Sequence, residues 1–313
     1  MTRTALGLLS LVCVTFSQDR VALPVKRSAK LSKNKIYVVE GLVRLPRGVE
    51  LTLRLGTTII GKGKNAVLEV RGTLKMAGTR NNRSYFKNVT VRPAERFEEI
   101  HLYWVNFEKS AALIADRKKP VKGRIYIERT TFDETATLTL AMKGGSFDLI
   151  RSLAKPRVRI LCEHGPVKVK IFGCFDNYQK LTGLEGGLIL TGAEDAIVRR
   201  NNLGGGRSAF VDCRKLTFDM NTVHSRVLEF RQSKAGFFAK TKILKCDLYC
   251  KTLSVRAPPR KGKPERLYMD KIFVRGLSKA DILAQVVDEN GVRVVIKKVL
   301  KKPQKLGGAS PGR

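Results

Sequence analysis

Two short units that begin 17 residues apart, "LTLRLGTTI" from Leu51 and "LEVRGTLKM" from Leu68, constrain this chain more than any other feature. In each, apolar and polar side chains alternate before a Gly-Thr step. Leu51 and Leu53 point one way while Thr52 and Arg54 point the other, and Leu68 and Val70 repeat this against Glu69 and Arg71. Period-two alternation of this kind marks a half-buried strand. A strand so short cannot bury its apolar face alone, so it must stack on a neighbour built the same way. The pattern predicts a solenoid of stacked coils.

Further along, apolar pairs five residues apart recur at Leu102/Phe107, Ile127/Phe132, Val198/Leu203, Phe218/Val223, Ile243/Leu248 and Met269/Val274. Their second members lie 25, 71, 20, 25 and 26 residues apart. Three coils of about 24 residues fill the long gap, a length that suits three short strands joined by turns. Phe175 fits one intermediate coil, and Leu153 marks the other, with Asp148 rather than an apolar residue five positions before it. Asn106, Asn177, Asn201, Asn202 and Asn221 fall near these anchors. They are expected at coil corners, where Asn tolerates left-handed backbone and its amide can bond to the next coil.

The stretch Gly41–Thr79 resembles the opening coils of right-handed parallel β-helix proteins of the pectate-lyase-like (pectin lyase) fold. The resemblance implies an all-β, right-handed parallel β-helix solenoid, here with a short C-terminal helix/strand cap, and it implies work on polysaccharide. It brings no catalytic motif with it. A calcium lyase of this class needs carboxylates on adjacent strands and a basic residue. The acids on offer are Asp176, Glu194, Asp195, Asp212 and Asp219, and Glu194-Asp195 is the one pair, with Arg199 and Arg200 behind it. Neighbours along a strand face opposite ways, so that pair alone is no calcium cage. His101, His164 and His224 are read as turn or surface residues. Calcium is expected as a cofactor only if the lyase alternative holds, and otherwise none is.

Residues 1–17 read as a secretory signal peptide: Arg3, a 12-residue apolar run from Ala5 to Phe16, and Thr15 and Ser17 before a cut at Gln18. The expected site is therefore secreted or at the cell envelope. Val12 before Cys13 argues against a lipoprotein signal. No later run approaches the ~20 apolar residues of a membrane helix. Residues 18–34 are expected as a flexible basic leader, 35–300 as the β-helix domain and 301–313 as a basic disordered tail. Within the domain, Ser278 caps a helix over 277–290, and 277–300 closes the solenoid. Arg256 to Arg266 is read as an exposed loop. Cys162, Cys174, Cys213, Cys246 and Cys250 fit no metal pattern and are read as thiols stacked inside the coils, with one inter-coil disulfide left open.

Charge is the remaining signal. With 61 Lys and Arg against 27 Asp and Glu, the formal net charge is +34, which attracts polyanions at long range. Arg157 and Arg159 alternate with Val158 and Ile160, and Lys168 and Lys170 alternate with Val167, Val169 and Ile171. Apolar side chains point in and cations out, on two strands close enough to share a coil. Arg199, Arg200 and Arg207 follow. These seven are the candidate polyanion-binding residues, and ordinary solvation is the competing explanation. Aromatics at 7% offer few stacking platforms, which makes nucleic acid a weaker partner than anionic polysaccharide. The function expected is a non-catalytic binding or structural module for anionic polysaccharide at the cell surface or matrix. The alternative is a lyase acting on uronic-acid polymers.

Overall fold

The computed structural model describes residues 20–23, 25–162, 165–174, 183–234, 238–258, 265–274, 280, 282, 286–288 and 292–303. They form an all-β parallel solenoid of about 10 turns. Each coil gives one strand to each of three sheets. In one coil these are Val105–Glu108, Ala112–Ala115 and Val121–Glu128. All three pair in parallel with the coil before and the coil after. Ile36–Leu45, Thr58–Val70 and Thr137–Ile150 bend round a corner and serve two sheets apiece. Gly145 shows why such a bend needs glycine. Its φ is +93°, and a Cβ there would sit 1.9 Å from the Gly123 carbonyl oxygen of the preceding coil.

The core follows from the alternation. Leu51, Leu53, Leu68 and Val70 are fully buried, while Thr52 and Glu69 stand on the outer side. Full burial of such a side chain contributes about 1.5–3 kcal/mol, and stacking coils is the only way a four-residue strand achieves it. Like residues stack on like: Phe86, Phe107 and Phe132 form a ladder with centroids 4.9 and 4.6 Å apart. In the apolar pairs, the first member points inward from the third sheet and the second points inward from the first sheet, around a tight corner. Across the 71-residue gap the stack runs Leu149/Ala154 and then Ile171/Leu184. Leu153 is half-buried, and Ala154 takes the inward position instead. Phe175 lies outside the described residues.

The corner itself differs from expectation in one respect. Left-handed backbone falls on Trp104, Arg129, Arg151, Gly173, Arg200, Met220, Lys245 and Lys271, not on Asn106, Asn201, Asn202 or Asn221, while Asn34 and Asn88 carry it in the opening coils. The residue after it is buried at all eight corners, and at six of them it is polar or a thiol (Thr130, Ser152, Cys174, Asn201, Asn221 and Cys246), with Val105 and Ile272 at the other two. Turning the corner points a backbone N–H into the core, and a side chain one coil on must accept from it. Thus Thr130 N donates to Ser152 Oγ, Cys174 N to Asn201 Oδ1, and Asn201 N to Asn221 Oδ1, at 3.1, 3.0 and 3.0 Å. The asparagine ladder is therefore Asn201–Asn221. Asn106 and Asn202 lie half-buried in strands of the first sheet, and Asn177 is outside the described residues.

The N-terminal leader is part of the solenoid. Arg20–Ala22 pairs with 36–38, Ala29–Lys30 pairs with 51–52, and Leu23 and Leu31 are buried, so this stretch has core to bury despite its basic composition. The helix expected over 277–290 is shorter than predicted. Ala280 and Ile282 are helical, but Val286–Asp288 is a strand paired with Leu253–Val255, because β-branched residues that fit an apolar helix face equally fit the open edge of a sheet. The closing strand is present as Arg293–Ile296. Residues 1–19, 259–264 and 304–313 lie outside the described residues, and with them the expected signal peptide, most of the expected loop and most of the expected tail. Cys162, Cys174, Cys213 and Cys246 are buried free thiols and Cys250 is a half-buried one. No helix among the described residues is long and apolar enough to cross a membrane.

Candidate polyanion-binding surface

The expected cationic residues divide between two sheets. Arg159 belongs to the second sheet, flanked by Thr139 and Ile189, and Arg157 lies just before its strand. Lys168 and Lys170 belong to the third, where Lys168 is flanked by Ser146 and Asp195, and Lys170 by Asp148 and Ile197. They share a coil as predicted, but the corner between their strands turns them onto different faces. Of the remaining three, Arg199 also lies on the third sheet and pairs with the largely buried Asp219 at 2.9 Å. Arg200 is exposed on the left-handed corner. Arg207 sits on the second sheet and pairs with Glu229, a buried carboxylate. Arg199 and Arg207 therefore serve the fold directly.

A second array of exposed cations lies elsewhere. Over the last coils, the third sheet presents Lys215, Lys242, Arg266, Arg293 and Lys297, with Lys240 at the end of a short 3-10 turn beside it. Arg266 and Arg293 occupy directly paired positions on neighbouring strands, about 4.8 Å apart along the stack. Like charges placed opposite each other destabilise a sheet unless a counter-ion intervenes. Among the described residues, no carboxylate pairs with Lys240, Lys242, Arg266 or Arg293. Tyr268 stands between them, 40% exposed, with Lys297 Nζ 5.9 Å from its ring centre. Ile243 pairs with Met269, which sets Lys242 and Tyr268 side by side facing out. Alternation within "RLYMD" and "RVVIK" was the sequence signal for this array. What joins the two segments is an intervening stretch without strand periodicity, so their pairing was not visible.

Acids are distributed in the opposite way, one by one against bases of neighbouring coils. Glu194 pairs with Arg214 and Asp195 with Lys215, at 2.9 and 2.8 Å. Asp212 accepts from the Ser233 hydroxyl at 2.7 Å. Asp176 and His164 lie outside the described residues. Among the described residues no group of three or more His, Cys, Asp or Glu is placed to hold a metal ion.

Mid-way along the third sheet an outward column runs His101, Tyr126, Asp148, Lys170. The His101 and Tyr126 rings meet edge to face at 4.7 Å, and the Tyr126 hydroxyl donates to Glu128 at 2.6 Å. Burial, helped by that carboxylate, pushes the Tyr126 phenol up to about 12. It is thereby held protonated and is a poor base. Burial also raises Asp148, against the opposing pull of Lys170 and Arg124. Trp104, the single tryptophan, occupies the adjoining corner between the guanidinium groups of Arg83 and Arg129, at 4.9 and 5.0 Å. His224 stacks flat on Tyr249 at 4.8 Å.

No protein-family model, curated protein or solved structure matches this chain.

Proposed function

We propose that this chain is a non-catalytic binding module for anionic polysaccharide, with the third sheet as its contact surface. The observation that supports this reading is the pairing of Arg266 with Arg293 beside Lys242 and the exposed Tyr268, cations grouped on one sheet without carboxylate partners among the described residues. A charged glycan supplies what that surface lacks: repeated carboxylate or sulfate groups for the cations and an apolar ring face for Tyr268. Lys168 and Lys170 extend the same sheet towards the N-terminus. A right-handed, pectate-lyase-like β-helix ancestry and export through residues 1–17 belong to the same reading, resting on the Gly41–Thr79 motif and the apolar N-terminal run. The lyase alternative draws no support from Glu194 and Asp195, whose carboxylates face Arg214 and Lys215.

Co-sedimentation of the full chain with polygalacturonate, alginate, dextran sulfate and neutral dextran tests this. Binding is expected to the charged polymers and to weaken with salt. The Lys242→Gln/Arg266→Gln/Arg293→Gln variant is expected to lose about tenfold or more in affinity at low salt. Equal binding to neutral dextran, or an unaffected triple variant, overturns the reading. Absorbance of unsaturated uronyl ends, followed in the same tubes, would reveal a lyase.

A further inference from the structure

On the second sheet of the opening coils, one carboxylate gathers three arginines. Arg44, Glu69 and Arg92 occupy paired positions on three successive coils. Arg71, two residues beyond Glu69, turns back to it. The distances to Glu69 are 3.5 Å from Arg44, 3.0 Å from Arg71 and 3.2 Å from Arg92. The Glu69 side chain is 14% exposed, whereas those of the arginines are 57%, 52% and 43% exposed. A carboxylate has two oxygens, whereas three guanidinium groups bring five N–H donors each. Glu69 fixes their positions and leaves two positive charges and most of the donors facing water. Guanidinium groups held this way are preorganised for a second oxyanion, which they take with forked hydrogen bonds.

This cluster is remote from the third-sheet array that runs from Lys215 to Lys297. Five coil steps separate the Thr90–Pro93 strand from Arg207–Val211, the second-sheet strand of the coil that carries Lys215. At about 4.8 Å per coil that is roughly 24 Å along the axis, and the two surfaces lie on different sheets.

We propose that Arg44, Arg71 and Arg92 form a second oxyanion site, for the carboxylate or sulfate groups of an acidic glycan, and that with the third-sheet surface it makes the protein a bivalent cross-linker of polyanion chains. The cross-linking rests on the proposed function above, and its test separates the two. A rigid solenoid holds both sites at fixed positions, so one polymer segment bound straight along the third sheet leaves the arginine cluster free for another chain.

Beads coated with dextran sulfate are loaded with the full chain, washed, and offered fluorescein-labelled dextran sulfate. Wild-type protein is expected to bind the beads and to capture the labelled chains. Arg44→Gln/Arg92→Gln keeps the Arg71–Glu69 pair, so the carboxylate is not left bare. This variant is expected to bind the beads within about twofold of wild type but to lose capture of the second chain. Undiminished capture by the double variant overturns the inference, since self-association or one surface alone then suffices. Wild-type protein that binds the beads but captures nothing overturns it too, with the binding function intact. Wild-type protein that does not bind the beads overturns both.

Discussion

The Asn201 backbone N–H and its side-chain Nδ2 both donate to Oδ1 of Asn221, one coil further on, at 3.0 Å each. Asn221 Nδ2 in turn reaches back to the Val198 carbonyl at 2.8 Å. One buried amide thus bonds three groups at the corner. Replacing Asn221 by Ala takes its partner from the Asn201 N–H and from the Val198 carbonyl, while Asn201 Nδ2 keeps its bond to the Ile171 carbonyl at 3.0 Å. The loss expected is about 2–4 kcal/mol, since each buried unsatisfied group costs about 1–3 kcal/mol and some relaxation follows. Asn202→Ala, at a half-buried position whose Oδ1 has no partner, should cost under about 1 kcal/mol. Urea unfolding of the two variants measures the contrast, and equal losses would show that the ladder is not what holds this corner.

Arg207 is expected to matter for stability before it matters for any ligand. Glu229 is 7% exposed in its side chain and is paired with Arg207. Arg207→Ala leaves a buried carboxylate uncompensated, and about 2–3 kcal/mol should be lost, below the full value for a buried pair because Arg207 is half exposed. Lys62→Ala removes an equally visible contact, 3.3 Å to Glu40, but both partners are about two-thirds exposed. There the change should be close to zero. Thermal melts of both variants decide, and a Lys62 effect as large as the Arg207 effect would contradict the argument.

Architecture was legible because it depends on local alternation, which every coil restates. Leu51 and Leu68 announce the strands, and the five-residue pairs announce the corner between the third and first sheets. Where the reading slipped, a small residue stood in for a large one. Ala154 fills the inward position that Leu153 was expected to take, since an adjacent leucine outranks it in any hydrophobic pattern. The surface was less legible. Alternation places Arg159 and Lys168 outside but says nothing of the corner between their strands, which sends them to different sheets. Arg266 meets Arg293, and Glu69 meets Arg44 and Arg92, only through stacking register. Contacts between coils depend on coil length, and coil length varies here.

The thiols provide a probe of the interior. Burial pushes Cys174 and Cys213 up to about 12 from an ordinary 9.0, raises Cys246 further, and moves Cys250 to about 11. Raised values mean that the folded chain keeps protons that the unfolded chain releases. This contribution to stability is therefore full below about pH 9 and falls as pH rises towards 12. Alkylation at pH 8, mapped by peptide mass spectrometry, should label Cys250 first. Cys174, Cys213 and Cys246 should react only at the rate of unfolding. Rapid labelling of Cys213 in native protein would mean that the coils open there.

Arg151 tests what the left-handed corner costs. Its φ is +47°, and in the next coil the same stacked position is held by Gly173 at +67°. The Arg151 N–H donates to the Phe172 carbonyl at 2.8 Å, so the backbone geometry is fixed by the stack rather than by the side chain. The side chain is exposed. Left-handed backbone costs an L residue about 1–2 kcal/mol, and glycine is free of that penalty while gaining entropy in the unfolded chain. Arg151→Gly should therefore stabilise the protein by up to about 1 kcal/mol, and Arg151→Val should destabilise it by more than that, because a β-branched residue fits this region worst. Chemical denaturation of the pair gives the sign directly. A glycine variant less stable than wild type would mean that the Arg151 side chain contributes to the coil stack in a way its exposure does not suggest.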